Sequence, residues 1–234
     1  MTLAGDIRAG LAARADVAQA PAMQAYMKST MPFLGVATPQ RRAWVKQCCR
    51  GREAADAAAL SALMLSLWRE ARFREERYAA LDLLHLARHR KLLDLSHLPV
   101  LTELLETGPW WDFNDEISGN ALQLLLQRHP AELKRLLRQW ARGDDLWLRR
   151  AAMLCQRRMK SGFDPVLLYE CILPSLAGAS PLAHEFFIRK GMGWALRERA
   201  YQAPDEVRAF CREYGDRLSS LTQREALRVI DQES

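Results

Sequence analysis

Along the whole chain, apolar positions fall among Ala, Leu, Arg, Glu and Gln, the residues that form helices. The period-2 alternation of Val, Ile and Thr that marks a half-buried strand is missing. The breaks between apolar runs come at regular intervals and carry helix-boundary chemistry. Thr38-Pro39 predicts a capping residue followed by proline at the first helical position, and His129-Pro130, Asp164-Pro165 and Ala203-Pro204 read the same way. Gly108-Pro109 and Gly143 mark turns. Ser220 followed three residues later by Gln223 resembles a capping box ahead of a last helix. About a dozen helices of ordinary globular length are predicted.

The helices repeat. A basic residue followed by small and apolar ones recurs at Arg42-Ala43-Trp44-Val45, Arg77-Tyr78-Ala79-Ala80, Arg150-Ala151-Ala152-Met153 and Lys190-Gly191-Met192-Gly193. Arg224-Glu225-Ala226-Leu227 follows the same pattern apart from the Glu. The first two leaders are 35 residues apart and the last two steps are 40 and 34. The interval between Arg77 and Arg150 is about two such periods, and the residue that divides it is Asp115. A period of this length, with two helices in each repeat, predicts an all-α, HEAT-like α-solenoid of about six two-helix repeats. The second helices of successive repeats would line one concave face, so this face is expected to be basic and interrupted by one carboxylate. The whole chain, 1–234, is expected to form a single domain of this kind.

Composition adds a partner class. The 234 residues carry 34 Lys and Arg against 28 Asp and Glu, a formal charge of +6 that favours a polyanionic partner. A row of Arg and Lys on a helical face matches the spaced charge of a phosphate backbone. The same row could hold an acidic peptide, or could simply pair with neighbouring Glu. The five cysteines are scattered without a C-x-x-C motif, which points to reduced thiols and to neither a zinc site nor a disulfide framework. His85 and His89 have the spacing of a helical metal pair but lack a third ligand, so no metal and no cofactor is expected. The longest nearly apolar run, Ala57 to Trp68, is too short to cross a bilayer, and no signal peptide is visible. A cytoplasmic monomer without a membrane partner, associated with the nucleoid when it holds DNA, is expected.

The aromatic residues sharpen the chemistry. Trp111 lies one helical turn before Asp115, and Trp194 one turn after Lys190. Two tryptophans beside a carboxylate in a cationic row are suited to holding a positive charge. In duplex DNA such a charge exists on an N-alkylated purine. It spreads to the sugar when the N-glycosidic bond breaks, and a fixed carboxylate would stabilise it there and orient water.

These residues also carry a family resemblance. Tyr26-Met27-Lys28, Pro32-Phe33-Leu34-Gly35 and Thr38-Pro39-Gln40-Arg41-Arg42 resemble the start of the AlkD family of DNA alkylation repair glycosylases. Trp110-Trp111-Asp112-Phe113-Asn114-Asp115 resembles its Trp-Trp-Asp-x-x-Asp signature. Trp147 to Ala152, Phe186 to Arg197 and Arg224-Glu225-Ala226 resemble its later motifs, in order along nearly the whole chain. The resemblance implies a monofunctional glycosylase that removes cationic alkylpurines such as 3-methyladenine and 7-methylguanine from double-stranded DNA without flipping the lesion. It assigns Trp111 and Trp194 to the deoxyribose, Asp115 to the oxocarbenium and the water, and Arg150 to the adjacent phosphate. Thr38, Arg42 and Arg197 become further DNA contacts, and the repeat pattern adds Arg77 and Lys190. Asn114 departs from the small apolar residue expected before the Asp.

Overall fold

A computed structural model of the chain describes residues 2–159 and 161–230. All regular structure in them is helical, with no strand among the described residues. The helices divide into two compact units, Met1–Leu101 and Thr102–Ser234. Within each unit, helices pack on neighbouring helices in the manner of a helical solenoid.

The first unit contains α1 (Leu3–Ala12), α2 (Ala20–Met27), α3 (Thr38–Cys49), α4 (Ala57–Arg69), α5 (Arg74–Asp82) and α6 (Ala87–Leu92). Helix α1 packs on α3 and α4, and α5 lies against both α3 and α4. The long apolar run of the sequence is α4. Asp56 caps it, its carboxylate accepting the Ala59 N–H at 2.8 Å. Leu60, Met64, Leu67 and Trp68, spaced to share one face, are buried. The loop before α3 is held from α5: Glu75, fully buried, accepts the N–H groups of Leu34, Gly35 and Val36 at 2.9, 2.9 and 3.2 Å. Three donors on one carboxylate offset much of the cost of burying it.

Helix α7 (Leu98–Thr107) leads from the first unit to the second. There follow α8 (Trp111–Glu116), a π-helical turn (Ile117–Leu122), α9 (Gln123–Arg128), α10 (Pro130–Arg142), α11 (Leu146–Leu154), α12 (Pro165–Ile172), α13 (Phe186–Ala200), α14 (Pro204–Glu213) and α15 (Ser220–Leu227). One layer is formed by α8, α11, α13 and α15, each packed on the next, while α10 and α12 pack together behind it. Leu133, Leu137, Trp140 and Ala141 form the buried stripe of α10, at the spacing an amphipathic helix requires. Helices α13 and α15 approach closely because Gly193 has no side chain: a Cβ there would lie 2.6 Å from Glu225 Cβ and 2.9 Å from the Thr222 carbonyl oxygen.

His129-Pro130, Asp164-Pro165 and Ala203-Pro204 open α10, α12 and α14 as the sequence predicts. Two boundaries shift by one residue. Ala37 is the residue before α3, and Thr38 is its first residue, with a hydroxyl 3.4 Å from Arg41 Nη1. Ser219, not Ser220, caps α15: its hydroxyl accepts the Thr222 N–H at 3.0 Å, while Gln223 donates to the Gly215 and Leu218 carbonyls. Adjacent serines can both serve as caps, and only the backbone decides between them.

All five cysteines are free. His85 and His89 do not share a helix face: His89 is buried, accepting the Ala54 N–H at Nε2 and meeting the Leu83 carbonyl at Nδ1. No described group of His, Cys, Asp and Glu side chains could hold a metal ion. No helix of the described residues is long and apolar enough to cross a membrane.

Candidate functional site

In the first unit the repeat leaders land on packed helices, Arg42 on α3 and Arg77 on α5, and in the second Asp115 on α8, Arg150 on α11, Lys190 on α13 and Arg224 on α15. Of these, Asp115 and Arg150 meet directly. Arg150 donates from Nε to Asp115 Oδ1 at 3.0 Å and from Nη2 to Oδ2 at 3.1 Å, the two-point fork that a guanidinium offers a carboxylate. The Arg150 Nη1 group donates to the Phe187 carbonyl of α13 at 2.7 Å. One side chain on α11 therefore ties α8 to α13. Both partners are buried, with side-chain exposures of 3% for Arg150 and 9% for Asp115. Burial pushes the Asp115 carboxyl above its ordinary value, with Arg150 pulling against that shift.

The neighbouring Arg149 shows the contrast that chain position creates. It is also buried, but its guanidinium meets the Gly143, Pro174 and Arg142 carbonyls and the Ser175 hydroxyl. It ties the ends of helices together and has no part in the acidic site.

Trp111 and Trp194 are half-buried. Trp194 is oriented by its indole N–H, which donates to Glu198 at 3.2 Å. Its ring face carries the guanidinium of Arg157, 4.2 Å from the ring centroid. Arg157 also donates from Nη2 to the Asp115 carbonyl at 3.2 Å, and the Ser118 hydroxyl approaches the same carbonyl at 3.4 Å. That carbonyl lies at the entry to the π-helical turn, where the regular ladder is interrupted and side-chain donors reach the backbone.

Asn114 ties α8 to α11 by donating from Nδ2 to the Trp147 carbonyl at 2.6 Å. It is buried, and its Oδ1 has no hydrogen-bond partner, nor does the buried indole N–H of Trp110. Trp110, Trp147 and Phe187 form an aromatic cluster behind the Asp115–Arg150 pair, with ring centroids 5.0 to 6.3 Å apart. The departure from a small apolar residue at 114 is thus a helix-to-helix hydrogen bond.

The other predicted contacts are disposed differently. Arg42 donates to Asp82 at 3.0 Å and meets His85 at 3.1 Å. Arg41 beside it is buried and donates to the same carboxylate at 2.6 Å. Lys190 and Arg197 both bond Glu225, each at 2.6 Å. Arg77 stacks over Trp68, 4.8 Å from the ring centroid. Thr38 is exposed at the start of α3. Asp115 is therefore not the one carboxylate in the row. Asp82 and Glu225 also bond its basic side chains, each from the next helix of the stack. Spacing reveals a row of cations, but not which acids on the adjacent helix face them. The sequence pattern does not point to Arg157, nor to the contacts that Asn114 and Phe187 make, because these join residues 33 to 42 positions apart.

Comparison with known proteins covers nearly the whole chain. The sequence model of a family described as "DNA alkylation repair enzyme" matches residues 7–230. A solved structure titled "Predicted DNA alkylation repair enzyme from Enterococcus faecalis" superposes with a TM-score of 0.80 and 26% identity, covering 91% of this chain and 95% of that one. No curated protein sequence matches significantly.

Proposed function

The chain belongs to the DNA alkylation repair enzyme family, and on that premise we propose that it is a DNA glycosylase acting on cationic alkylated purines such as 3-methyladenine and 7-methylguanine in duplex DNA. The observation that supports this reading is a buried Asp115, held in a fixed orientation by Arg150 and sharing its helix face with Trp111.

In the proposed reaction the bond between C1′ and the purine nitrogen breaks. Its electron pair returns to the base, which departs neutral, and positive charge is left on the deoxyribose. Asp115 stabilises that charge by a fixed electrostatic interaction that needs no reorganisation at the moment of bond breaking. A water oriented by the same carboxylate then adds to C1′ and loses its proton to Asp115 or to solvent. The upward push on the Asp115 carboxyl makes it a stronger base for that last step. Trp111 and Trp194 supply apolar faces for the sugar. Arg150 positions Asp115 and contacts the adjacent phosphate. No flipped-base pocket is invoked, because the charge being stabilised is on the sugar.

Thr38, Arg42, Arg77, Lys190 and Arg197 are proposed backbone contacts. Several of them now hold carboxylates, so phosphates would compete with Asp82 and Glu225 for the same donors. The affinity should accordingly fall steeply with added salt. We place the enzyme with DNA in the cytoplasm, acting as a monomer.

The test is release of 7-methylguanine from methylated duplex by the wild-type protein and by Asp115→Asn in parallel. Release by the wild type, with loss in the variant and duplex affinity kept or raised, supports the reading. No release by the wild type overturns it in favour of a DNA-binding protein without chemistry. Equal release by both removes Asp115 from the mechanism.

A further inference from the structure

We infer that Arg157 is a resident cation on the Trp194 face, a placeholder that must be displaced before a sugar can pack there. The inference rests on the reading of Trp194 as a sugar platform.

The geometry has three parts. The Arg157 guanidinium lies 4.2 Å from the Trp194 ring centroid, in the position of a cation held by the ring's negative face. Its Nη2 group bonds the Asp115 carbonyl, so it sits beside the acidic residue without touching the carboxylate. Gly119, in the π-helical turn, makes room for it: a Cβ on residue 119 would lie 2.8 Å from Arg157 Nη2.

The side chain is not fully paired where it rests. Its Nε is buried and has no hydrogen-bond partner, and burial holds the guanidinium below its usual pKa. The backbone, by contrast, is anchored. The Arg157 N–H donates to the Leu154 carbonyl at 3.0 Å, and its carbonyl accepts from Gln123 Nε2 at 2.7 Å. The motion is thus a swing of the side chain and not of the turn. A destination is close by: a depression of about 370 Å³ beside Trp194 is lined by Arg158, Arg197, Glu198, Tyr201 and Arg228. A DNA phosphate entering this basic depression would draw the guanidinium away from the ring.

While Arg157 stays, Asp115, Arg150 and Arg157 together carry a net positive charge, which is unfavourable for a cationic sugar. Once it leaves, the Asp115–Arg150 pair is neutral as a unit and the Trp194 face is vacant. An ordinary neutral nucleoside gains little from that face, whereas a cation recovers the interaction that Arg157 gave up. Arg157 is in this sense a specificity-determining residue: engaging the platform has a threshold, and positive charge helps to cross it.

The experiment measures binding of two duplexes of the same sequence, one unmodified and one carrying a pyrrolidine abasic analogue, whose ring is a cation at neutral pH. Arg157→Gln removes the resident cation, and Gly119→Ala pushes it off the ring from the other side. Both variants should bind the pyrrolidine duplex about three- to tenfold more tightly than wild type, the range expected for losing a competing cation–π contact. Affinity for the unmodified duplex should stay level or fall. If Arg157→Gln weakens both duplexes in proportion, Arg157 is an ordinary phosphate contact and the inference is wrong. Unchanged affinity for the pyrrolidine duplex in both variants also overturns it. Asp115→Asn, measured alongside, separates the two levels. If it leaves the wild-type preference for the cationic duplex intact, the glycosylase reading fails. If it removes that preference while the Arg157 and Gly119 variants gain nothing, only the placeholder fails.

Discussion

Each unit of the molecule buries an aspartate against arginine across two neighbouring helices, and the two pairs are built to different ends. In the first unit Asp82 of α5 is met by two guanidinium groups, from Arg41 at 2.6 Å and Arg42 at 3.0 Å. Glu75, on the same helix, is answered by three backbone amides. In the second unit the Asp115 carboxylate is bonded, among the described residues, by the guanidinium of Arg150 alone, and burial still pushes it upward. Two residues attached to it carry a buried atom without a hydrogen-bond partner: Oδ1 of the adjacent Asn114 and Nε of Arg157, which bonds its carbonyl. Burial and ion pairing are common to both pairs and so do not mark a site. A buried charge that remains only partly compensated, beside a half-exposed aromatic face, does.

The comparison can be broken most directly by removing each aspartate. Asp115→Asn should lower the rate of base release by about a hundred- to a thousandfold, the usual loss when one group aimed at developing charge is removed. The folded protein should persist, as judged by helical circular dichroism. Asp82→Ala should do the reverse. It leaves Arg41 buried beside an empty position and should cost about 3 kcal/mol or more of unfolding free energy in a denaturant titration, while the activity per folded molecule is kept. If Asp82→Ala abolishes base release in protein that is still fully folded, the division into a structural pair and a functional pair is wrong.

A smaller effect is expected at the close contact of α13 and α15. Gly193→Ala places a methyl group against Glu225 Cβ and the Thr222 carbonyl, and should cost about 1 to 3 kcal/mol as overpacking. Because Glu225 bonds Lys190 and Arg197, the same variant should also alter the salt dependence of DNA binding, which a filter-binding series at several ionic strengths would register.

The smallest effect concerns protons. Asp115 has a folded-state pKa above its ordinary 3.8. Between that value and the raised one, the folded protein holds a proton that the unfolded chain lacks. This residue therefore contributes stability as pH falls through the window and withdraws it as pH rises. Base release, which needs the carboxylate, should decline as pH falls through the raised folded-state pKa. Arg150→Gln should move the decline to higher pH by removing the pull that favours ionisation. A decline that stays in place when Arg150 is replaced would mean that another group controls it.

Much of this arrangement is legible in the sequence. Within each unit the leaders fall on helices that pack on one another, α3 and α5 in the first and α8, α11, α13 and α15 in the second, as residues one period apart should. Asp115 and Arg150, 35 residues apart, meet as equivalent positions on adjacent helices should. What was hidden depends on contact. Nothing in the row of basic leaders says that Asp82, the last residue of α5, faces Arg42. Glu225 lies one period after Lys190 and beside Arg224, but the spacing does not say that the acid and not the arginine meets Lys190. Nothing in the composition says that Asn114 reaches Trp147, or that Arg157 rests on Trp194. The choice between Ser219 and Ser220 as a cap is likewise made by the backbone, one residue either way.

The π-helical turn at Ile117–Leu122 has a consequence of its own. An α-helix has one phase: the direction of its first side chain fixes the direction of its last. A single wide turn resets that phase, so the segments on either side can answer to different demands. Upstream, Trp111 and Asp115 keep the angle that α11 and Arg150 require. Downstream, Leu125 and Leu126 take the angle that burial requires. One continuous rod thereby behaves as two dials on a common axle, and the setting of the acidic residue is freed from the setting of the core.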